Sequence, residues 1–291
     1  MPGERRAAGV RVPKLAISVC HVTIARLVLL LVCRLAWAAE PEAPAAGGAA
    51  PETMRAFDAY ARLTESRLDA LAPKPDGFLW ADTPARRSRV RQAGVICEPR
   101  NRQGAVKAAR GLIHDWVGAS FIPRATVDQV LRLVQDYDNH RNTYQPDVVD
   151  SRTLERHGDD FKVRLRLFKR KVVTVVLDVD SDVHYRRLGG RDWQSRSFST
   201  RIVEIADAGS PRERQRGPRE EHGYLWRINS YWFFREKDDG VYVECQAVSL
   251  SRNVPAAVAW LIDPIIRSLP KDALENTLRA TRAMVLRTLT N

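Results

Sequence analysis

The sequence predicts an α+β domain in which a curved antiparallel sheet of about seven strands packs around a long C-terminal helix, with an extra helix near the N terminus. Residues 223–234 and 241–252 have the composition of two long strands, and Asp238-Asp239-Gly240 between them is typical of a hairpin turn. A final helix is indicated by apolar positions at helical spacing, namely Leu274, Leu278, Thr281 and Val285. Because a helix with one apolar stripe must bury it, the sheet is its expected partner.

The N-terminal segment, residues 1–38, predicts a secretory signal peptide. An apolar run at 27–33 follows positive charge and precedes Ala36-Trp37-Ala38, which fits an A-x-A cleavage site. The run is shorter than the roughly 20 residues that span a bilayer. We therefore expect export, to the periplasm or outside the cell, with an uncleaved membrane anchor as the alternative. Residues 39–51, rich in Ala, Pro and Gly, predict a disordered linker.

The charge balance favours a soluble surface over a nucleic-acid footprint. The formal net charge is +12, of which residues 1–39 contribute +5, and the remaining +7 is spread over many positions. Two cysteines lie beyond the leader, Cys97 and Cys245, and they predict either one disulfide or two separate thiols.

Residues 52–110 predict an N-terminal helix and a basic extension. An apolar stripe from Phe57 to Leu71 indicates a helix over 52–71, and a short strand is expected at 93–98. The globular domain proper is then expected over 111–291.

The elements of this domain follow one another in a simple order. A strand at 112–122 precedes a helix that Thr126 and Gln129 open as a capping box. Four strands are expected at 148–156, 161–170, 172–185 and 193–205, before a charged, mobile loop at 207–222. Pro255 and Pro264 are expected to bound a short helical piece, and Pro270 to open the final helix.

Several local motifs occur in an order that points to a known family: Phe121-Ile122-Pro123, residues 126–130, Asp136-Tyr137-Asp138, Tyr144-Gln145-Pro146 and residues 249–255. Together with the closing helix they resemble the helix-grip START-like (SRPBCC) superfamily, which includes polyketide cyclases, coenzyme Q-binding proteins and lipid carriers. The resemblance covers about 111–289. It implies a deep, mostly apolar cavity, and in many members no catalytic residue.

The candidate site residues come from the strands of this domain. His114 and Trp116 share a strand face, and a cavity histidine can orient a ligand or act as an acid–base catalyst. Glu244 is either an ordinary surface residue or faces inward, where an ion pair with Arg227 or Arg201 would give the cavity a polar floor. The aromatic side chains of residues 224–234 are either core or cavity lining, and the face that carries Arg227 and Tyr231 is the alternative wall. The expected ligand-binding set is His114, Trp116, Trp226, Arg227, Tyr231 and Glu244, with His114 and Glu244 as the candidate catalytic residues.

No motif predicts a metal or a cofactor. Asp178, Asp180, Asp182 and His184 alternate on one strand, but the Gly and Glu of a calcium loop are absent, so a solvated face is expected. No nucleophile elbow, phosphate loop, HExxH or CxxC occurs.

The sequence therefore predicts an exported protein that binds or carries a hydrophobic small molecule such as a lipid, quinone or polyketide, without nucleic acid as a partner. A cyclase or dehydratase that uses a cavity His or Glu is one alternative. The other is an interaction module that contacts a membrane surface or a protein through the loop 212–219 and the N-terminal helix. The oligomeric state is left open.

Overall fold

The structure is a computed structural model that describes residues 48–72, 78–101, 104–170, 174–253 and 256–290, with only the backbone for 256–267. The described residues form five α-helices and ten strands. The helices are α1 (Pro51–Leu71), α2 (Pro84–Ala93), α3 (Val127–Gln135), α4 (His140–Thr143) and α5 (Ala256–Thr288), with 3-10 turns at Trp80–Asp82 and Tyr137–Asn139. The strands are β1 (Val95–Pro99), β2 (Ala105–Ala108), β3 (Gly111–Pro123), β4 (Val148–His157), β5 (Asp160–Arg170), β6 (Thr174–Gly189), β7 (Asp192–Ala206), β8 (Arg214–Gln215), β9 (Arg227–Glu236) and β10 (Gly240–Arg252).

The strands form one antiparallel sheet in the order β1-β3-β10-β9-β7-β6-β5-β4, and β2 and β8 pair with β3 and β7. The sheet has more than the predicted seven strands because three short strands of 5, 4 and 2 residues, β1, β2 and β8, join it; of these, β1 corresponds to the short strand expected at 93–98. Helix α5 contacts β1, β3 and β10. This is the helix-grip arrangement that the resemblance implies, and the predicted α+β fold class is confirmed.

Helix α5 buries the predicted stripe, since Leu274, Leu278, Thr281 and Val285 are all at most 5% exposed. The predicted break at Pro264 and start at Pro270 were wrong, because one helix runs from Ala256 to Thr288. A proline removes one helical hydrogen bond and favours a bend, but it does not have to end the helix.

Strand β9 is shorter than the predicted strand, which was expected to begin at Gly223. Gly223 has a positive φ of 75°, and the carboxylate of Glu204 accepts the backbone N–H groups of Gly223 and Tyr224. Those donors are therefore used by a side chain rather than by a neighbouring strand, and the ladder begins at Arg227.

The capping box that opens α3 is confirmed. Thr126 Oγ1 accepts a hydrogen bond from the Gln129 nitrogen at 3.4 Å, and Gln129 Oε1 accepts one from the Thr126 nitrogen at 2.9 Å. The first turn of α3 thereby has two of its free backbone donors satisfied.

The N-terminal extension covers the face of the sheet opposite α5. The predicted helix is confirmed as α1, which buries Thr53, Phe57, Ala61, Thr64 and Leu68. Helix α2 was not predicted, because its only buried residue is Val90 and its remaining positions carry no apolar stripe. Two hydrophobic clusters result, one between the sheet and α3 and α5, the other between the sheet and the extension.

Cys97 and Cys245 are free thiols on either side of Gly118, one on β1 and one on β10. Because β3 lies between them, their Cα atoms are about 10 Å apart, which is beyond the reach of a disulfide.

The predicted signal peptide and most of the predicted linker lie outside the described residues. Among the helices that are described, none combines the length and the apolar character needed to cross a membrane.

Candidate functional site

A cavity of about 380 Å³ lies between the inner face of the sheet and the middle of α5. Strands β5, β6 and β9 and the helix supply most of its wall as aliphatic and aromatic side chains, among them Leu165, Leu167, Val179, Ile228, Trp232 and Leu274. The volume falls within the range of about 300 to 1,000 Å³ that is usual for small-molecule sites.

The hollow exists because the central strands carry small side chains where a filled core would carry large ones. Ser197 on β7, Ser230 on β9 and Ala247 on β10 are consecutive partners across the sheet, and all three line the cavity. Along the same face of β9, Trp232 and Phe234 fill the space toward the other end. The cavity is therefore encoded by a row of small residues between large ones.

An aromatic cluster with paired polar atoms closes one end. The hydroxyls of Tyr137 and Tyr185 lie 2.9 Å apart, and the Tyr144 hydroxyl lies 3.1 Å from Thr281 Oγ1. His140 packs against the rings of Tyr137 and Tyr144 at centroid distances of 4.6 and 4.8 Å. The polar atoms of this end thus satisfy one another within a largely apolar wall.

The aromatic end is electrically neutral. Burial raises the pKa of Tyr137 and Tyr185 and brings that of Tyr144 to about 12, while it lowers the pKa of His140 to about 4. His140 Nε2 lies 3.1 Å from the Val134 carbonyl oxygen, which can only accept, so the proton of the neutral ring is on Nε2.

His114, a predicted site residue, lines the cavity from β3 and is 2% exposed. Its Nε2 lies 3.0 Å from Ser251 Oγ on β10. The structure therefore places His114 in the wall, with one ring nitrogen engaged by a neighbouring strand.

An ion pair marks the part of the cavity nearest solvent. Lys169 Nζ donates to Asp147 Oδ2, and Asn276 Nδ2 of α5 lies 3.4 Å from the same oxygen. Asp147 and Lys169 also line an adjoining surface depression with Pro146 and Arg170. Among the described residues that line the cavity, these are the only Asp, Glu, Lys or Arg side chains.

The segment before β9 supplies another part of the wall. Tyr224 and Leu225 line the cavity, and Glu204 at the end of β7 anchors this segment. Its carboxylate accepts His222 Nδ1 at 2.8 Å and the backbone nitrogens of His222, Gly223 and Tyr224 at 2.9, 2.9 and 3.2 Å. Burial raises the pKa of Glu204, but these hydrogen bonds outweigh burial and leave the pKa lowered.

Four predicted site residues face the N-terminal extension instead of the cavity. Tyr231 donates to Glu65 of α1 at 2.8 Å, Arg227 lies 3.7 Å from Asp58, and Glu244 accepts the backbone nitrogens of Trp80 and Ala81. Trp226 packs in the cluster beneath the extension. The alternative cavity wall built on Arg227 and Tyr231 is therefore the outer face of the sheet, and the predicted pairing of Glu244 with Arg227 or Arg201 is absent from the described contacts.

Trp116 shares the inner face with His114 but packs beyond the cavity, beside Gly104, in the cluster that α5 covers. His114 is thus brought to the cavity without Trp116 or Glu244. The cavity serines, Tyr137, Tyr185 and His140 were not among the predicted site residues. The signal that could have identified the serines is the alternation of the strands, but a serine in a strand is easily assigned to the solvent-facing side.

Two of the acidic residues of β6 form cross-strand ion pairs with β5. Arg166 donates two hydrogen bonds to Asp178, and Arg164 donates two to Asp180. Within the described part of the chain, no group of three His, Cys, Asp or Glu side chains is placed to hold a metal ion.

No family model and no curated protein matches the chain. Among solved structures, a STAR-related lipid transfer protein from Xanthomonas axonopodis is 18% identical with a TM-score of 0.41, and the match covers 66% of this chain and 98% of that one. An aromatase/cyclase from Streptomyces sp. R1128 is 12% identical with a TM-score of 0.40, covering 61% and 96%. A START superfamily protein from Mycobacterium smegmatis is 11% identical with a TM-score of 0.39, covering 60% and 98%. Each of these similarities is one of fold, at 18% identity or less.

Proposed function

We propose that this protein binds one hydrophobic small molecule in the cavity and carries or sequesters it. The observation that supports the proposal is the hollow itself, which is walled by apolar side chains and kept open by Ser197, Ser230 and Ala247. Shielding roughly 300 Å² of apolar ligand surface contributes about 7 kcal/mol before the costs of ordering are subtracted.

The enzymatic alternative has lost one of its two candidate residues, because Glu244 lies on the far face of the sheet. A cyclase or dehydratase would have to use His114 or His140 with a group of the ligand. The interaction-module alternative expected a cavity filled by the protein's own side chains and an available N-terminal helix. The apolar stripe of α1 is instead buried against the sheet. Contact with a membrane surface stays a prediction.

Native mass spectrometry of protein purified from its own host tests the proposal. We expect a second species whose added mass corresponds to one bound organic molecule and disappears after organic extraction. A single apo mass, together with no saturable binding of the neutral dye Nile red by the extracted protein, would overturn it.

We also propose that the chain is exported, on the strength of the apolar run at 27–33 and the A-x-A pattern at 36–38. Mass measurement of the mature protein should give an N terminus at Ala39. An intact leader on protein recovered from the membrane fraction would favour the anchor instead.

A further inference from the structure

The inner face of the sheet carries serine hydroxyls that point into the cavity. Ser249 is 6% exposed and Ser181 is 8% exposed, and both line the cavity, as do Ser197 and Ser230. Within the described residues, none of these four hydroxyls makes a hydrogen bond to another protein group, whereas the tyrosines and His140 nearby are paired. Ser197 and Ser230 are half-buried and open to the cavity, so their hydroxyls are available to hydrogen-bond a polar atom of a molecule that enters it.

The electrical character of the wall limits what that atom can be. Asp147 and Lys169 are the only acidic or basic chains among the described lining residues apart from the histidines, and they are paired with each other. The phenols and His140 are neutral at physiological pH for the reasons given above. An ionised carboxylate or phosphate would therefore find no unpaired counter-charge among the described lining residues, and burying it beside them would be unfavourable.

Size gives a further limit. A cavity of about 380 Å³ is at the lower end of the range for ligand sites. A phospholipid with two long acyl chains is several times larger, so a single compact apolar body fits better.

We propose that the ligand is an uncharged, compact hydrophobic molecule with a carbonyl or hydroxyl group that hydrogen-bonds to the hydroxyls of Ser197 and Ser230. This inference rests on the proposed function and specifies its ligand class. Ser197 and Ser230 are direct partners across β7 and β9, so their two hydroxyls can meet one oxygen atom. Among the described lining residues, Lys169 is the only Lys or Arg, and its ammonium is paired with Asp147.

The retinoids provide matched probes because they share one body and differ in one group. Fluorescence titration at neutral pH compares retinol, retinal, retinoate and anhydroretinol, which lacks the oxygen. Wild-type protein should bind retinol and retinal about ten-fold more tightly than retinoate. Replacing both Ser197 and Ser230 by alanine should weaken the binding of retinol and retinal by about five-fold and leave the affinity for anhydroretinol unchanged. The matched control is Ser66→Ala on the exposed face of α1, which should leave the affinities for all four retinoids unchanged.

A second variant tests the reason for the preference. Asp147→Asn removes the carboxylate that pairs with Lys169, so the ammonium of Lys169 becomes available to an acidic ligand. The affinity for retinoate should then rise about ten-fold relative to the affinity for retinol. An unchanged preference in this variant would contradict the role given to the ion pair.

Two outcomes would overturn the inference while leaving the proposed function intact. One is that the wild type binds retinoate as tightly as retinol. The other is that the double serine variant loses as much affinity for anhydroretinol as for retinol. If no retinoid binds, the assigned ligand class is wrong, and Nile red then distinguishes the two failures. Saturable Nile red binding preserves a hydrophobic carrier with another ligand, and its absence removes the carrier as well.

Discussion

The carboxylate of Glu244 accepts a hydrogen bond from the backbone nitrogen of Trp80 at 2.9 Å, on the face of the sheet away from the cavity. The other carboxylate oxygen accepts one from the Ala81 nitrogen at 3.1 Å. A buried side chain of β10 thus satisfies the first donors of the 3-10 turn in the N-terminal extension. The domain and its extension are held together by this polar contact as well as by apolar packing.

Glu244 should make the stability of the protein depend on pH. Burial raises its pKa from 4.5 to about 7, although the two backbone N–H groups act in the opposite direction. The folded state therefore holds this proton more tightly than the unfolded state, and the stabilisation present below about pH 4.5 is lost as pH rises to about 7. The free energy of unfolding of the wild type should fall by about 3 kcal/mol relative to Glu244→Gln over this range.

Urea denaturation of both proteins between pH 4.5 and 8 checks this prediction. The difference between them isolates Glu244 from other titrating groups. Parallel curves for the two proteins would show that the carboxyl titrates normally.

Glu204 should control access to the cavity, because it holds the segment that carries Tyr224 and Leu225. Glu204→Gln keeps the size of the side chain but cannot accept all four donors, so the segment should loosen by about 1 to 3 kcal/mol. Trypsin should then cut faster after Arg216 and Arg219, and bound Nile red should dissociate faster. Glu155→Gln, at an exposed ion pair with Lys162, is the control. Equal cleavage rates in Glu204→Gln and the control would refute the anchoring role.

Gly118 should tolerate no side chain, since it lies where Leu278 of α5 meets the sheet. A Cβ here would come within 2.6 Å of both Cys97 Sγ and Leu278 Cδ1. Gly118→Ala should therefore lower the free energy of unfolding by about 1 to 3 kcal/mol. Gly217→Ala is the control, because the nearest atom to its Cβ is a flexible Glu220 oxygen at 3.9 Å. Thermal unfolding of the two variants measures the difference, and an unshifted transition in Gly118→Ala would contradict the close packing of α5.

Much of the fold follows from local patterns. The Thr126 and Gln129 box places α3, the stripe from Leu274 to Val285 places α5, and alternation places the long strands. These signals come from residues close to one another in the sequence, so they can be recognised from the sequence without knowledge of the fold. The role of the prolines in α5 was misjudged because a helix can continue through a proline. The start of β9 was misjudged because Glu204 of β7, distant in sequence, accepts the backbone donors of Gly223 and Tyr224.

The site was harder to predict because both faces of the sheet are covered. Ser230 and Tyr231 are adjacent on β9, and period-two alternation assigns them to opposite faces without saying which face meets α5. Tyr231 was assigned to the ligand as part of an alternative polar wall, and Glu244 as a possible polar floor of the cavity. The N-terminal extension, distant in sequence, covers that face instead. The serines that open the cavity resemble surface residues in any one-sided sheet.

Filling the cavity tests the central claim most directly. Ser230→Leu places a larger apolar side chain in the hollow, where it should be accommodated without loss of thermal stability. Ser66→Leu adds the same side chain at an exposed position of α1 and controls for non-specific dye binding. Nile red titration should give saturable one-to-one binding for the wild type and Ser66→Leu, and at least about ten-fold weaker binding for folded Ser230→Leu. Equal Nile red affinity in all three proteins would show that the ligand is held elsewhere and would contradict a carrier built on this cavity.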